Sequence, residues 1–321
     1  MPLGLGSSGE PVADLHRRLA ALGYRCDGDE PGSFGEASRR SVEAFQEARG
    51  LRVDGICGQQ TWAALVEAGY RLGDRRLYQR KPMMRGDDVA DLQLRLGALG
   101  FDAGKVDGIY GPQTAGALAE FQRNAGLTVD GIFGPEELQV LERLGRRGEG
   151  LVADLREVAA LRWSARTLHG LRVVVAERGG LDAVTAACGR ALRRHGAHAL
   201  VLHHPDGSEL AQQANALGAA VVVELASLGR AAGCRCSYYR GYSTASPAGR
   251  ALAELLAPLA AATAGVEDLG VAGMAIPVLR ETRMPAVMCE LGPTQVLVVR
   301  AAEIAAAVAD ALERWIAPDA A

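Results

Sequence analysis

One pattern occurs twice in the first half of the chain. The first copy carries Val12, Leu15, Leu19, Leu22-Gly23-Tyr24, Phe34-Gly35, Phe45-Gln46, Gly50-Leu51, Val53-Asp54-Gly55-Ile56 and Gly58. The second carries Val89, Leu92, Leu96, Leu99-Gly100-Phe101, Tyr110-Gly111, Phe121-Gln122, Gly126-Leu127, Val129-Asp130-Gly131-Ile132 and Gly134. The offset is 77 residues at the start and 76 after a single gap. Matches at so constant an offset mark a duplicated unit, which constrains this half to small tandem modules. A chain of 321 residues then has room for a further domain.

Each copy reads as three short helices. Val12, Leu15, Leu19 and Leu22 recur at helical spacing and give one apolar face. Gly23 stands where a left-handed C-cap belongs. A second helix is expected over 37–49, with Val42 and Phe45 facing in and Gly50 ending it. Asp54-Gly55 and Asp130-Gly131 are tight-turn dipeptides. Gly58-Gln59-Gln60-Thr61 leads into a third helix carrying Trp62 and Leu65. The expected modules are 1–72 and 78–146.

These residues resemble the peptidoglycan-binding type 1 module. The second copy keeps its pattern nearly whole in Leu92-Gln93, Tyr110-Gly111-Pro112-Gln113-Thr114, Phe121-Gln122 and Asp130-Gly131-Ile132. The first departs at His16, where the pattern has Gln, and at Ser38, where it has Thr. The resemblance covers about residues 5–145 and implies recognition of cell-wall glycopeptide. Most matched residues are core or turn positions, so a scaffold docking a protein instead stays open.

Arg146-Arg147-Gly148-Glu149-Gly150 breaks the pattern and reads as a hinge. A linker and helix are expected over 147–170, with Val152, Leu155, Val158 and Leu161 at helical spacing and Arg166 and Arg172 flanking the next domain. That domain, 171–318, alternates apolar runs with helical patterns. The runs 171–176, 198–203, 219–225 and 286–291 suit buried strands. The patterns 181–195, 208–217, 246–264 and 301–315 suit helices. Strand and helix in alternation predict an α/β domain with a largely parallel sheet. The whole chain is thus expected to be multidomain, two small three-helix bundles followed by an α/β domain. Tyr238-Tyr239-Arg240-Gly241-Tyr242 reads equally as a docking patch or as a strand edge.

A second resemblance is carried by Ala214-Asn215 with Gly218-Ala219, by Ser246 with Leu252-Ala253, and by Val278-Leu279-Arg280, Thr282, Met284-Pro285-Ala286-Val287 and Glu290-Leu291-Gly292. Over about 171–316 these resemble the type 3 N-acetylmuramoyl-L-alanine amidases. That family implies one Zn²⁺ held by His, Glu and His, with a second Glu as general base. The first His falls at Arg178 in Glu177-Arg178-Gly179-Gly180. The loop bearing the ligand Glu is missing, and Asp182 is the nearest acid, a substitute for it at most. The last His falls at Ala226, after Val223-Glu224-Leu225. Only the general-base position survives, as Glu290. Arg178 brings a fixed positive charge where a dication would sit. The expectation is therefore no metal, with Arg178 and Glu290 paired in the former metal pocket. His203-His204 and the pair Cys234, Cys236 substitute as ligands only if the site is rebuilt.

Two such repeats ahead of a degenerate amidase domain resemble the CwlM type of actinobacterial protein. That resemblance implies a catalytically inactive amidase homologue, a regulator of peptidoglycan precursor synthesis whose partner is a peptidoglycan-synthesis protein or a muropeptide. The alternatives are an active amidase, with zinc as cofactor, and a muropeptide-binding sensor. A net charge of −3 with 35 scattered Lys and Arg does not favour nucleic acid. The start, MPLGLGSSGEPVADLHRRLA, has no basic segment before an apolar core, and no uncharged run reaches a membrane span. The expected location is cytoplasmic, where the six cysteines, Cys26, Cys57, Cys188, Cys234, Cys236 and Cys289, stay reduced.

Overall fold

The computed structural model describes residues 2–145, 167–241 and 244–317. The hinge at 146–150, most of the helix expected after it, Arg166 and Tyr242 lie outside the described residues. The chain forms two compact units.

Among the described residues the first unit holds six helices: α1 (Glu10–Ala21), α2 (Glu36–Ala48), α3 (Gln59–Ala68), α4 (Asp87–Ala98), α5 (Pro112–Ala125) and α6 (Pro135–Gly145). Val12, Leu15, Leu19, Val42, Phe45 and Leu65 close one core, and Val89, Leu92, Leu96, Leu118, Phe121 and Leu141 the other. Gly23 and Gly100 follow α1 and α4 at φ 90 and 93, the left-handed geometry that the cap position requires.

The repeated glutamines are hydrogen-bond clamps. The Gln122 amide nitrogen donates to Asp130 Oδ1 (2.8 Å), the Ile132 carbonyl (3.1 Å) and Glu137 Oε1 (3.1 Å), while its oxygen accepts from the backbone N–H of Asp130 and Gly131. Gln46 does the same with Asp54, Ile56 and Thr61, and Gln93 with Asp107, Ile109 and Thr114. One buried amide thus satisfies a whole Asp-Gly-Ile turn and ties it to the next helix. The two departures of the first repeat answer one another. His16 Nε2 lies 2.7 Å from Ser38 Oγ, where Gln93 meets Thr114 in the second repeat.

Asp29 caps the start of α2 from the loop before it. Its carboxylate accepts from the N–H groups of Gly35 (2.9 Å), Ala37 (3.1 Å) and Ser38 (2.7 Å), and from the Ser38 hydroxyl (2.6 Å). A Cβ on Gly35 would stand 2.4 Å from Asp29 Oδ1, so the cap needs glycine there. Burial works to raise the Asp29 pKa, but the Ser38 hydroxyl and the three N–H groups outweigh it and hold the carboxyl at about 2. A depressed pKa contributes stability that is complete above the unfolded value and is lost as pH falls through the folded one. Asp29→Ala is expected to cost about 1–2 kcal/mol at pH 7, the loss of a strong helix cap. Urea midpoints should separate the two proteins at pH 7 and converge near pH 2. Equal midpoints at pH 7 would contradict the capping role.

Among the described residues the second unit is an α/β sandwich of six strands, β1 (Arg172–Glu177), β2 (His198–His203), β3 (Val221–Ser227), β4 (Gly233–Tyr239), β5 (Asp268–Met274) and β6 (Ala286–Gly292). The helices are α7 (Asp182–Arg194), α8 (Gly207–Ala216), α9 (Pro247–Ala264), α10 (Pro277–Glu281), α11 (Thr294–Val299) and α12 (Ala301–Ile316). The strand order is β2-β1-β3-β6-β4-β5, parallel throughout except where β4 runs against β6. Odd-numbered side chains of β1 and β3 pack under α7, α9 and α12, and even-numbered ones under α8 and α10. The strands β4 and β5 were not expected, because Gly233-Cys-Arg-Cys-Ser carries little apolar bulk and Gly270 interrupts β5. Tyr238 and Tyr239 are neither a patch nor an edge. Their strand lies inside the sheet and both are buried. Among the described residues no helix is long and apolar enough to cross a membrane.

Candidate functional site

Parallel strands present their C-terminal ends together, and ligand sites in open α/β sheets gather there. Here β1, β3 and β6 end side by side, with Ala176 beside Glu224, Glu224 beside Met288, and Ala226 beside Glu290. All of these share one face of the sheet, because side chains alternate along a strand. Arg178, one step past β1, lies over this row. Its Nε donates to Glu224 Oε1 at 2.5 Å and its Nη2 reaches Met288 Sδ at 3.4 Å.

The expected pairing of Arg178 with Glu290 is therefore corrected: Arg178 pairs with Glu224. Sheet order gives the reason, since β3 adjoins β1 whereas β6 lies one strand further. Glu224 was legible as a letter beside the Ala226 position, but only the register of β1 on β3 shows that it faces Arg178. Its side chain is fully buried while that of Arg178 is 38% exposed. Oε2 of Glu224 is buried and accepts no hydrogen bond from the described residues. Burial raises the Glu224 pKa, Arg178 opposes the rise, and the nearby charge of Glu290 adds to it. Glu290 itself is buried in β6. Across the sheet on β4, Arg235 stands opposite it in register.

This donor set does not suit the zinc that the second resemblance implies. Two carboxylates face the row, neither histidine position carries an imidazole, and a guanidinium occupies the space between strands. Asp182 does not join them. It opens α7 and its Oδ1 lies 3.8 Å from Nδ1 of His203, on the side of Glu177. Glu177 and His203 are paired in register and in contact, Glu177 Oε1 with His203 Nδ1. The hydrogen bond and charge of Glu177 raise the His203 pKa. Among the described residues two groups bring three ligand atoms within 4.8 Å of one another: Glu177, Asp182 and His203, and the buried trio Cys234, Cys236 and Cys289. Cys289 was missing from the expected cysteine pair because it comes from β6, next to β4 in space and 53 residues on in sequence from Cys236.

Comparisons with known proteins agree with both halves. Residues 8–65 and 85–141 match the family described as "Putative peptidoglycan binding domain". The N-acetylmuramoyl-L-alanine amidase CwlM of Mycobacterium tuberculosis is 36% identical over 330 aligned residues, spanning 90% of this chain and 81% of that protein. The N-acetylmuramoyl-L-alanine amidase CwlL of Bacillus licheniformis is 34% identical over 39% of this chain and 41% of its own length. Among solved structures, the N-acetylmuramyl-L-alanine amidase Ami1 of Mycobacterium smegmatis aligns with 48% of this chain and 100% of its own, at 14% identity and a TM-score of 0.41.

Proposed function

Because this chain belongs to the CwlM-type N-acetylmuramoyl-L-alanine amidase family, we propose that it acts in peptidoglycan metabolism as a regulator and not as a hydrolase. One observation supports this above the others: Arg178 stands at the first histidine position and is paired with buried Glu224. The amidase reaction needs a metal to polarise the scissile carbonyl and to acidify a water. A glutamate then takes and returns the proton. Arg178 offers positive charge but no lone pair, so it neither ligates a metal nor accepts a proton at neutral pH. Glu290 keeps the general-base position, with the carboxylate of Glu224 rather than an imidazole as its charged neighbour among the described residues.

A fold kept without its chemistry works through its surface. The partner in this reading is a protein of peptidoglycan precursor synthesis, met in the cytoplasm. The six free thiols of the chain suit a reducing compartment. The paired repeats add peptidoglycan-related contacts, with a muropeptide as the ligand class. In a reconstituted precursor-synthesis reaction, the full chain is expected to change the rate in proportion to its concentration. Glu290→Gln should act as the wild type does, because contact needs no proton transfer. A rate indifferent to the wild-type chain, or an effect that disappears with Glu290→Gln, would contradict the proposal.

A further inference from the structure

The other face of β1 carries a group that the amidase comparison does not assign. Glu177 is fully buried, and its Oε2 accepts the backbone N–H groups of Gly179 (2.6 Å) and Leu181 (3.2 Å). These bonds fix the carboxylate so that Oε1 points across to β2. There it meets Nδ1 of His203, the residue directly beside it in the parallel register. Asp182, at the first position of α7, brings Oδ1 to 3.8 Å from the same nitrogen. Three elements thus converge with one imidazole nitrogen and two carboxylate oxygens, all within 4.8 Å of one another.

We propose that Glu177, Asp182 and His203 form a binding site for a divalent cation of the zinc class, displaced to the opposite sheet face from the position that the amidase family uses. Charge argues for it: two carboxylates and a neutral imidazole around a dication sum to zero. The three ligand atoms lie within reach of one ion. Zinc bonds of about 2.0–2.2 Å place tetrahedral ligand atoms about 3.3–3.6 Å apart. The direct Glu177–His203 contact opens to that spacing as the ion enters, and Asp182, whose side chain is 81% exposed, closes from 3.8 Å. The backbone donors on Glu177 play the orienting part that outer hydrogen bonds play in metal sites generally. His203 is 49% exposed, so an ion has an entry path and solvent fills the remaining coordination. One imidazole among oxygen donors favours zinc over magnesium or calcium. The entering ion replaces the proton that now joins His203 to Glu177. The cysteine trio is a poorer host for the same ion. Three thiolates around a dication leave a net negative charge in an apolar core, where all three sulfurs are fully buried.

The test uses the full chain, stripped with chelator and titrated with Zn²⁺ by calorimetry. One Zn²⁺ per chain is expected, with a rise in Tm on adding Zn²⁺. His203→Gln should abolish the binding. Asp182→Asn, at a surface position where folding is not at stake, should weaken it at least about tenfold, the range for losing part of a metal shell. Cys234→Ser should leave it unchanged. No stoichiometric binding by the wild type would overturn the proposal, as would equal affinity in Asp182→Asn and wild type, or loss of binding in Cys234→Ser. The outcome is independent of the regulatory reading, which turns on muropeptide hydrolysis and not on zinc content.

Discussion

Arg178→Met is expected to destabilise the second unit by about 2–3 kcal/mol at neutral pH. Removing one partner of a buried ion pair costs about 3–5 kcal/mol because the other charge is left in low dielectric. Here the figure is reduced because Arg178 is 38% exposed and because Glu224 has the recourse of taking up a proton. The sign with pH follows from that recourse. Burial already holds the folded pKa of Glu224 above its ordinary value of 4.5. A group of that kind contributes its stability below the unfolded pKa and loses it as pH rises through the folded one. The cost of Arg178→Met should therefore be largest at pH 7–8, shrink as pH falls through the raised folded pKa of Glu224, and be mostly gone by about pH 4.5. Arg178→Met with Glu224→Leu should recover most of the loss, since apolar replacement of a buried pair is close to neutral. Urea unfolding of the four proteins at two pH values closes the cycle. Additive losses in the double variant would mean that the two residues do not act as a pair.

Gln122→Leu keeps the volume of a fully buried side chain and removes its amide. It leaves the N–H groups of Asp130 and Gly131 without their acceptor and the Ile132 carbonyl and Glu137 carboxylate without their donor. A single unsatisfied buried group costs about 1–3 kcal/mol, and some of these are near solvent, so about 3 kcal/mol in all is expected. The loss should be local. Hydrogen exchange of the peptides that contain α5 and α6 should speed up by about two decades, at about 1.4 kcal/mol per decade. The α1–α3 repeat and the second unit should keep their protection. Gln46→Leu should produce the mirror result in the first repeat, because its amide makes the same set of bonds. Unchanged exchange in either variant would remove the clamp from the account.

What the sequence made legible followed from periodicity. The duplicated units, their helices, the glycine caps and the strands β1, β2, β3 and β6 all carry apolar repeats or φ-demanding turns that a reader of letters can follow. The strands β4 and β5 do not, since Cys, Ser, Arg and Gly are poor markers of a pleated core strand. The site was half legible. Arg178, Ala226 and Glu290 stand out because a motif surrounds each of them. Glu224 and Glu177 do not, although both are buried acids, because their partners are set by strand register. Glu224 meets Arg178 across 46 residues and Glu177 meets His203 across 26. The same holds for His16 and Ser38, which look like two unrelated departures from one pattern until the helices bring them into contact.

The amidase resemblance and the ion pair point in different directions, and the reaction itself separates them. A hydrolase of this family would release L-Ala peptides from muropeptide, zinc supplying an acidified water and the glutamate at the position of Glu290 handling the proton. A regulator on the same fold does not. The direct measurement is L-Ala peptide release from purified muropeptide by the full chain with saturating Zn²⁺, beside Glu290→Gln. The account predicts no release above the protein-free control for either protein, even when Zn²⁺ is bound. Turnover by the wild type that disappears in Glu290→Gln would contradict it, and would mean that a metal reaches Glu290 despite Arg178.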